Sequence, residues 1–399
     1  MAKTKSAKTA TLGASVLQDL SVYVHWPYCA RICPYCDFNI YKNRSDTALT
    51  PSILKDLSAW RDWSGPRPIS SLHFGGGTPS LMPVQDIKSI INHVEALWGF
   101  KDDAEIGLEA NPLDAEVTLW TDLKRAGINR LSLGIQSFHD PALKLLGRDH
   151  DSHKAKDALA LTADIFDNFS ADLIFGWAGQ NTSQLEHDLN TALEYNPPHL
   201  STYQLTIEEN TAFGRAKQRG ISRAVGSDAS ADLYEHVTSK FKNLGYDHYE
   251  VSNFAKLDVN STVKSGLRSA HNLGYWRGQD YVGVGPGAHG RLTNEGVRFA
   301  TINAMTPAAY TSSVTETGFG ISEKTALTSE ESSDEYLLMG LRISEGVSLQ
   351  HYKNLGGTLN TNALSALTGD GFLIQDQDRL YASDKGRPVL NHLTDALLI

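Results

Sequence analysis

The sequence predicts an α/β protein: an open, partial barrel of six β/α units, followed by a small C-terminal module of mixed α and β structure. Three observations carry this. Between residues 20 and about 206, short apolar runs alternate with helical stretches, the pattern of a parallel sheet. Six such units can be found, two short of a closed eight-stranded barrel. From Ser329 onward the order changes to helix, helix, hairpin, helix.

The six expected strands are Leu20–His25, Ser71–Phe74, Glu105–Glu109, Arg130–Gly134, Ser170–Phe175 and Leu200–Leu205. Helices lie between them. Asp140-Pro141 reads as a cap followed by proline at the first helical position. Leu185, Leu189, Ala192 and Leu193 form an apolar stripe that Asn196-Pro197-Pro198 closes. Beyond the barrel, Asp228 to Leu244 reads as a helix, and Tyr246 to Phe254 as an antiparallel strand. Gly283-Val-Gly-Pro-Gly-Ala-His-Gly290 contains a literal Gly-x-Gly-x-x-Gly, but a hairpin rather than a helix follows it, so it is no dinucleotide fingerprint. The expected division is a disordered tail at 1–17, the barrel at 18–210, an extension with antiparallel strands at 211–302, a Thr/Ser/Ala/Gly-rich linker at 303–328, and the C-terminal module at 329–399. The order of elements in that module resembles a winged helix, yet it offers no basic recognition helix, and a packing role is expected.

Composition narrows the function. Hydrophobic residues at 41% and charged residues at 21% describe a soluble globular protein. No apolar run approaches the roughly 20 residues that span a bilayer. A net charge of −10 without a basic face argues against nucleic acid. The first 17 residues lack the apolar core of a secretory signal. Unpaired thiols fit the reducing cytoplasm, the expected location.

All three cysteines, Cys29, Cys33 and Cys36, fall within eight residues, on the loop leaving the first strand. Cys-x3-Cys-x2-Cys is too tight for disulfide pairing. Soft thiolates this close suit an iron–sulfur cluster, or zinc with His25 as a fourth ligand. Three thiolates leave one iron of a four-iron cluster open to another ligand. In β/α barrels chemistry gathers at the C-terminal ends of the strands. There the second strand ends in Phe74-Gly-Gly-Gly-Thr-Pro-Ser80, whose glycines let the backbone approach a ligand. The third ends in Glu109-Ala-Asn-Pro112, the fourth in Gly134-Ile-Gln136, and the fifth carries Asp172.

Taken together, Tyr23-Val-His-Trp-Pro-Tyr-Cys, Gly75-Gly-Gly-Thr-Pro, Leu131-Ser-Leu-Gly-Ile-Gln-Ser-Phe138 and the C-terminal module resemble the coproporphyrinogen oxidase-like branch of the radical S-adenosylmethionine (SAM) superfamily. The resemblance covers nearly the whole chain after residue 20 and implies the partial six-unit radical SAM barrel. It implies a 4Fe–4S cluster on Cys29, Cys33 and Cys36. It also implies SAM contacts from Tyr23, Tyr35, Gly76, Gly77, Thr78, Glu109, Gln136, Arg148 and Asp172, with Thr206 a weaker candidate. The oxidases of this branch carry a fourth nearby cysteine, where this chain has Phe38, and a longer segment before the first strand. The chain is more similar to the branch's heme chaperones. That likeness implies heme as ligand, heme-acceptor proteins such as respiratory enzymes as partners, and no coproporphyrinogen oxidation; peripheral membrane association through acceptors and a homodimer are compatible with it. A true oxidase, or an interaction scaffold with a relic cluster, is the alternative. Within His271-Asn-Leu-Gly-Tyr-Trp276, His271 is the leading axial-ligand candidate, because Tyr275 and Trp276 follow at one helical turn. His248 and His289 are the alternatives, and His25 and His73 are expected nearer SAM. Gly176-Trp-Ala departs from the proline the family more often has after that glycine.

Overall fold

The computed structural model describes residues 19–42, 49–257 and 267–398; the expected tail lies outside them. Twelve strands form one sheet. The first six, in chain order, are β1 Leu20–Trp26, β2 Ile69–Gly76, β3 Phe100–Ala110, β4 Arg130–Gln136, β5 Phe169–Phe175 and β6 His199–Gln204. They lie side by side in that order, each parallel to the next. Crossover helices connect them: Leu49–Ser64, Val84–Trp98, Val117–Ala126, Ser152–Ile165 and Thr182–Leu193. These are the six β/α units of the sequence.

Their period-2 alternation explains the barrel. Leu20, Val22, Val24, Leu72, Phe74, Ile106, Leu108, Leu131, Leu133, Ala171, Leu173 and Leu200 face outward and join the helices in one core. Buried apolar area of this kind contributes about 25 cal/mol per Å². The residues between them face inward and meet across the strands: Ser71 Oγ donates to Ser21 Oγ at 2.9 Å, and Ser132 Oγ to Asp172 at 2.7 Å. The interior is therefore polar and hydrogen-bonded, and its upper part is free for a ligand.

The sheet continues on both sides and stays open. β7 Tyr246–His248 and β8 Asn253–Lys256 form an antiparallel pair, and β8 adds antiparallel to β6. The expected single strand from Tyr246 to Phe254 is thus two strands about a turn. On the other side β9 Asp280–Val284 lies parallel to β1, a seventh parallel strand. The hairpin of β10 His289–Asn294 and β11 Val297–Asn303 follows it. The stretch expected as a linker, 303–328, instead holds the helix Pro307–Thr317 and an edge strand, β12 Ile321–Ala326. Thr306 caps that helix by accepting from the Ala309 N–H, and Tyr310 and Val314 bury its inner face. Asp280, at the start of β9, fastens this side. Its carboxylate accepts from Arg67 at 2.8 Å, Arg298 at 3.1 Å and the Thr293 N–H at 2.9 Å.

The C-terminal module has its own core of Leu337, Leu341, Val347, Tyr352, Leu373, Leu380, Leu393 and Leu397. Its three-stranded sheet, β13 Val347–Ser348, β14 Leu373–Asp376 and β15 Arg379–Ala382, packs with the helices Ser329–Gly340, Leu349–Asn354 and Thr361–Gly369 before the hairpin and Leu390–Leu397 after it, one helix and one short strand more than the expected order. Glu335 ties it to Arg291 and Arg298 of the hairpin. Among the described residues no helix is long and apolar enough to cross a membrane.

Candidate cofactor cleft

The C-terminal ends of β1 to β6 open into a cleft of about 380 Å³. The cysteine loop forms one wall, held by backbone and side-chain bonds. Tyr28–Cys29 pairs with Tyr41–Lys42, His25 Nε2 bonds the Asn39 carbonyl at 2.9 Å, and Asn39 Nδ2 donates to the Pro286 carbonyl at 3.0 Å. Cys29, Cys33 and Cys36 all line the cleft, and all are free thiols. Burial pushes Cys29 and Cys36 up, Cys36 to about 11. These thiols give up their protons to a metal far more readily than to neutral water.

The glycine-rich turn after β2 fits against this loop so closely that side chains are excluded. A Cβ on Gly77 would lie 2.7 Å from the Tyr28 carbonyl oxygen and 2.9 Å from that of Trp26. Gly76 has φ +107°, and a Cβ there would meet the His25 ring at 2.5 Å. Two hydrogen bonds stitch the turn to the loop: the Gly77 N–H donates to Trp26 and the Thr78 N–H to Tyr28. Thr78 Oγ1 stands 3.5 Å from Cys29 Sγ.

Opposite lie the polar ends of β3 to β6. Glu109 accepts from the Gly76 N–H at 3.2 Å and faces His73 Nε2 at 3.3 Å. Arg148 donates to Cys33 Sγ at 3.6 Å and to the Gly134 carbonyl at 3.0 Å. Asp172 accepts from Ser132 and Ser170, each at 2.7 Å, and burial raises it to about 6. Asp149 goes the other way, to about 2, held down by the adjacent His150 ring, whose Nδ1 lies 3.8 Å away, and by the Arg148 charge. Burial also pushes the Tyr35 phenol up, against the pull of Arg148.

Two side chains here are left incomplete. Gln136 Oε1 and Arg148 Nε are buried without a hydrogen-bond partner. Gln136 also holds φ +68°, a left-handed conformation that costs a non-glycine residue on the order of 1 kcal/mol or more. Buried polar atoms left unpaired are destabilising unless a ligand completes them. The donor set therefore suits a polar cofactor beside a metal–sulfur group. Among the described residues no three His, Cys, Asp or Glu side chains converge to hold a single ion. His25 is already committed, with Nδ1 on the Tyr23 hydroxyl and Nε2 on Asn39, so the expected zinc alternative loses its fourth ligand.

Of the residues expected from the sequence, Tyr35, Gly76, Gly77, Thr78, Glu109, Gln136, Arg148, Asp172 and Thr206 line the cleft with the cysteines. Tyr23 does not; it lies behind Gly75 in the barrel interior, stacked 6.4 Å from His73. His271, the expected axial ligand, does not line the cleft either. It is 1% exposed, Nδ1 faces Ser71 Oγ at 2.8 Å, Nε2 faces the Tyr275 hydroxyl at 2.7 Å, and the ring stacks on His73. Both ring nitrogens are therefore already engaged in this arrangement. Trp276 packs with Leu273, Tyr249 and Ile343 in the seam to the C-terminal module. Sequence reasoning missed Ser132, Asp149 and Tyr203, which also line the cleft, and quoted Asn111 at the third strand's end without naming it as a contact. The inward alternation along β4 and β6 marks Ser132 and Tyr203, and the strand-end position marks Asn111; nothing local marks Asp149.

Comparison with known proteins agrees with this geometry. Residues 23–192 match the Radical SAM superfamily model and residues 327–389 the HemN C-terminal domain. The heme chaperone HemW of Bacillus subtilis is 33% identical over 391 residues, 95% of this chain and 99% of its own. HemW of Escherichia coli is 33% identical over 390 residues, 96% and 99%. The mitochondrial radical S-adenosyl methionine domain-containing protein 1 of Danio rerio is 34% identical over 395 residues, 96% of this chain and 87% of its own. Among solved structures, the coproporphyrinogen III oxidase HemN of Escherichia coli superposes with a TM-score of 0.79 at 21% identity, covering 97% of this chain and 91% of its own, a likeness of fold. The chain belongs to the HemW family of the radical SAM superfamily.

Proposed function

We propose that this protein is a heme chaperone: it holds a 4Fe–4S cluster on Cys29, Cys33 and Cys36, binds SAM in the adjoining cleft, and carries heme to acceptor proteins, respiratory enzymes among them. One observation carries the reading: a cleft with cluster-type thiols and cofactor-type polar ends sits in a chain similar to HemW along its whole length. The cluster and SAM together would supply reductive cleavage chemistry. The chain's own residues do the positioning. Glu109 and Asp172 accept hydrogen bonds from a ligand's amino and hydroxyl groups, while Arg148 and the buried Gln136 oxygen complete the polar contacts.

Phe38 stands where the oxidases of the wider branch place a cysteine, and it is 61% exposed at the cleft mouth. This favours heme handling over porphyrinogen oxidation. The incomplete Gln136 and Arg148 favour a working cofactor site over a relic scaffold. The test is anaerobic reconstitution with iron and sulfide, followed by separate assays of coproporphyrinogen decarboxylation and of heme binding by the Soret band. Heme binding without decarboxylation is expected. Sustained decarboxylation overturns the chaperone reading.

A further inference from the structure

Beneath the cleft, the inward faces of β5 and β6 hold a line of buried polar side chains. The parallel register sets Ser170 beside His199 and Asp172 beside Ser201. Ser170 Oγ donates to Asp172 Oδ1 at 2.7 Å; it also meets His199 Nδ1 at 2.9 Å and Ser201 Oγ at 3.0 Å. His199 Nε2 faces the Tyr249 hydroxyl at 2.8 Å, and that hydroxyl accepts from the Ser269 N–H at 3.2 Å. Ser170, His199 and Tyr249 are each at most 1% exposed.

The two ends of this line fix its direction. A backbone N–H can only donate, so the Ser269 end feeds the Tyr249 oxygen. Among the described residues, His199 Nε2 is the one acceptor within reach of the Tyr249 proton. Burial and the Arg130 charge keep His199 neutral, so its single proton sits on Nδ1 and points at Ser170. Ser170 then has its own proton left for Asp172. Every donor points toward the cleft.

We propose that His199 is a positioning residue for the cleft: acting through Ser170, it fixes the hydrogen bond that Asp172 receives and so the charge Asp172 presents to a bound cofactor. The other charged or titratable groups facing this line are Glu109 and Tyr203 at the Asp172 end, and Arg130, Glu105, Glu250 and the Arg268 guanidinium over the Tyr249 ring at the far end. Burial raises Glu250 to about 7, so the test compares each variant with Glu250→Gln, whose midpoint stays at the wild-type value. The Tyr249 backbone is held separately, its carbonyl accepting from the Ser344 N–H of the C-terminal module.

The inference rests on SAM binding as proposed above, with ionised Asp172 as an acceptor. The experiment measures SAM affinity of the anaerobically reconstituted protein from pH 5.5 to 8.5, with proton uptake counted by calorimetry in buffers of different ionisation enthalpy. In the wild type, affinity falls as pH drops through about 6, where Asp172 takes up a proton. His199→Leu removes the donor to Ser170, and Tyr249→Phe frees the tautomer. Both move the midpoint up by about one pH unit, a tenfold change in proton affinity, and leave affinity at pH 8.5 near wild type. His199→Asn keeps a donor at the Nδ1 position and restores the wild-type midpoint. Should His199→Leu fail to fold, Tyr249→Phe and Ser170→Ala carry the test with the same expected shift. Weaker binding at every pH with an unmoved midpoint overturns the proposal and leaves the SAM reading intact. A wild type that does not bind SAM at all removes both.

Discussion

Gly77→Ala is the sharpest perturbation of the join between the glycine turn and the cysteine loop. The new methyl would stand 2.7 and 2.9 Å from two carbonyl oxygens and 3.0 Å from the Pro27 carbonyl carbon. All three are backbone atoms of the loop, so no side chain can swing aside. Relief requires the turn and the loop to part by about half an ångström. Overpacking of this kind costs about 1–3 kcal/mol. The two hydrogen bonds from Gly77 and Thr78 stretch with it, at about 1 kcal/mol each. The sum is about 3–5 kcal/mol, large for one methyl. Gly369→Ala is the control: nothing lies within 4 Å of its Cβ, and its change should stay within about 1 kcal/mol. Urea unfolding followed by tryptophan fluorescence reads the difference, and iron content after reconstitution reads the loop. A Gly77→Ala protein with the wild-type midpoint and wild-type iron would refute the reasoning.

Cys→Ala at Cys29, Cys33 or Cys36 should each abolish the brown chromophore and the uptake of about four irons per chain, because these three are the chain's whole supply of thiolates. Stoichiometric zinc without labile sulfide in anaerobically purified protein would contradict this. Asp56 is raised to about 7 by burial, although Tyr310 and the Gly320 N–H donate to it. A raised carboxyl favours the folded state when protonated, so its contribution is full below about pH 4 and lost as pH rises through 7, by on the order of 4 kcal/mol. Asp56→Asn should flatten that fall in urea titrations at pH 5 and pH 8. His271→Ala should leave a heme titration by Soret absorption unchanged; loss of the Soret shift with a normal circular dichroism spectrum would return His271 to the heme site.

The six barrel strands were legible because each alternates apolar and polar residues against covering helices, a period-2 signal that survives without tertiary information. β9 was not, since five residues with Gly283 among them give no run, and only its pairing with β1 makes it a strand. The stretch 303–328 looked like a linker from its small polar residues. Its helix needs only Thr306, Tyr310 and Val314 to be anchored, too few for composition to register. Gly76, Gly77, Glu109, Gln136 and Asp172 could be read because strand ends carry a fixed meaning in such barrels, whereas Tyr35, Thr78, Arg148 and Thr206 came only with the family resemblance. His271 could not, because helical spacing correctly brought it to Tyr275, and that same contact occupies the nitrogen a heme iron would need. The His199 line is invisible in sequence: its members lie between residues 170 and 269, and register alone joins them.

The most direct measurement of the central claim is heme transfer. The reconstituted protein, loaded with heme, is mixed anaerobically with a heme-free respiratory acceptor and SAM, and the two are separated and read by visible absorption. The account predicts that heme moves to the acceptor, that transfer weakens when the cluster is removed by Cys36→Ala, and that added coproporphyrinogen stays unconsumed. Heme retained on the donor while coproporphyrinogen is decarboxylated at the expense of SAM would contradict it.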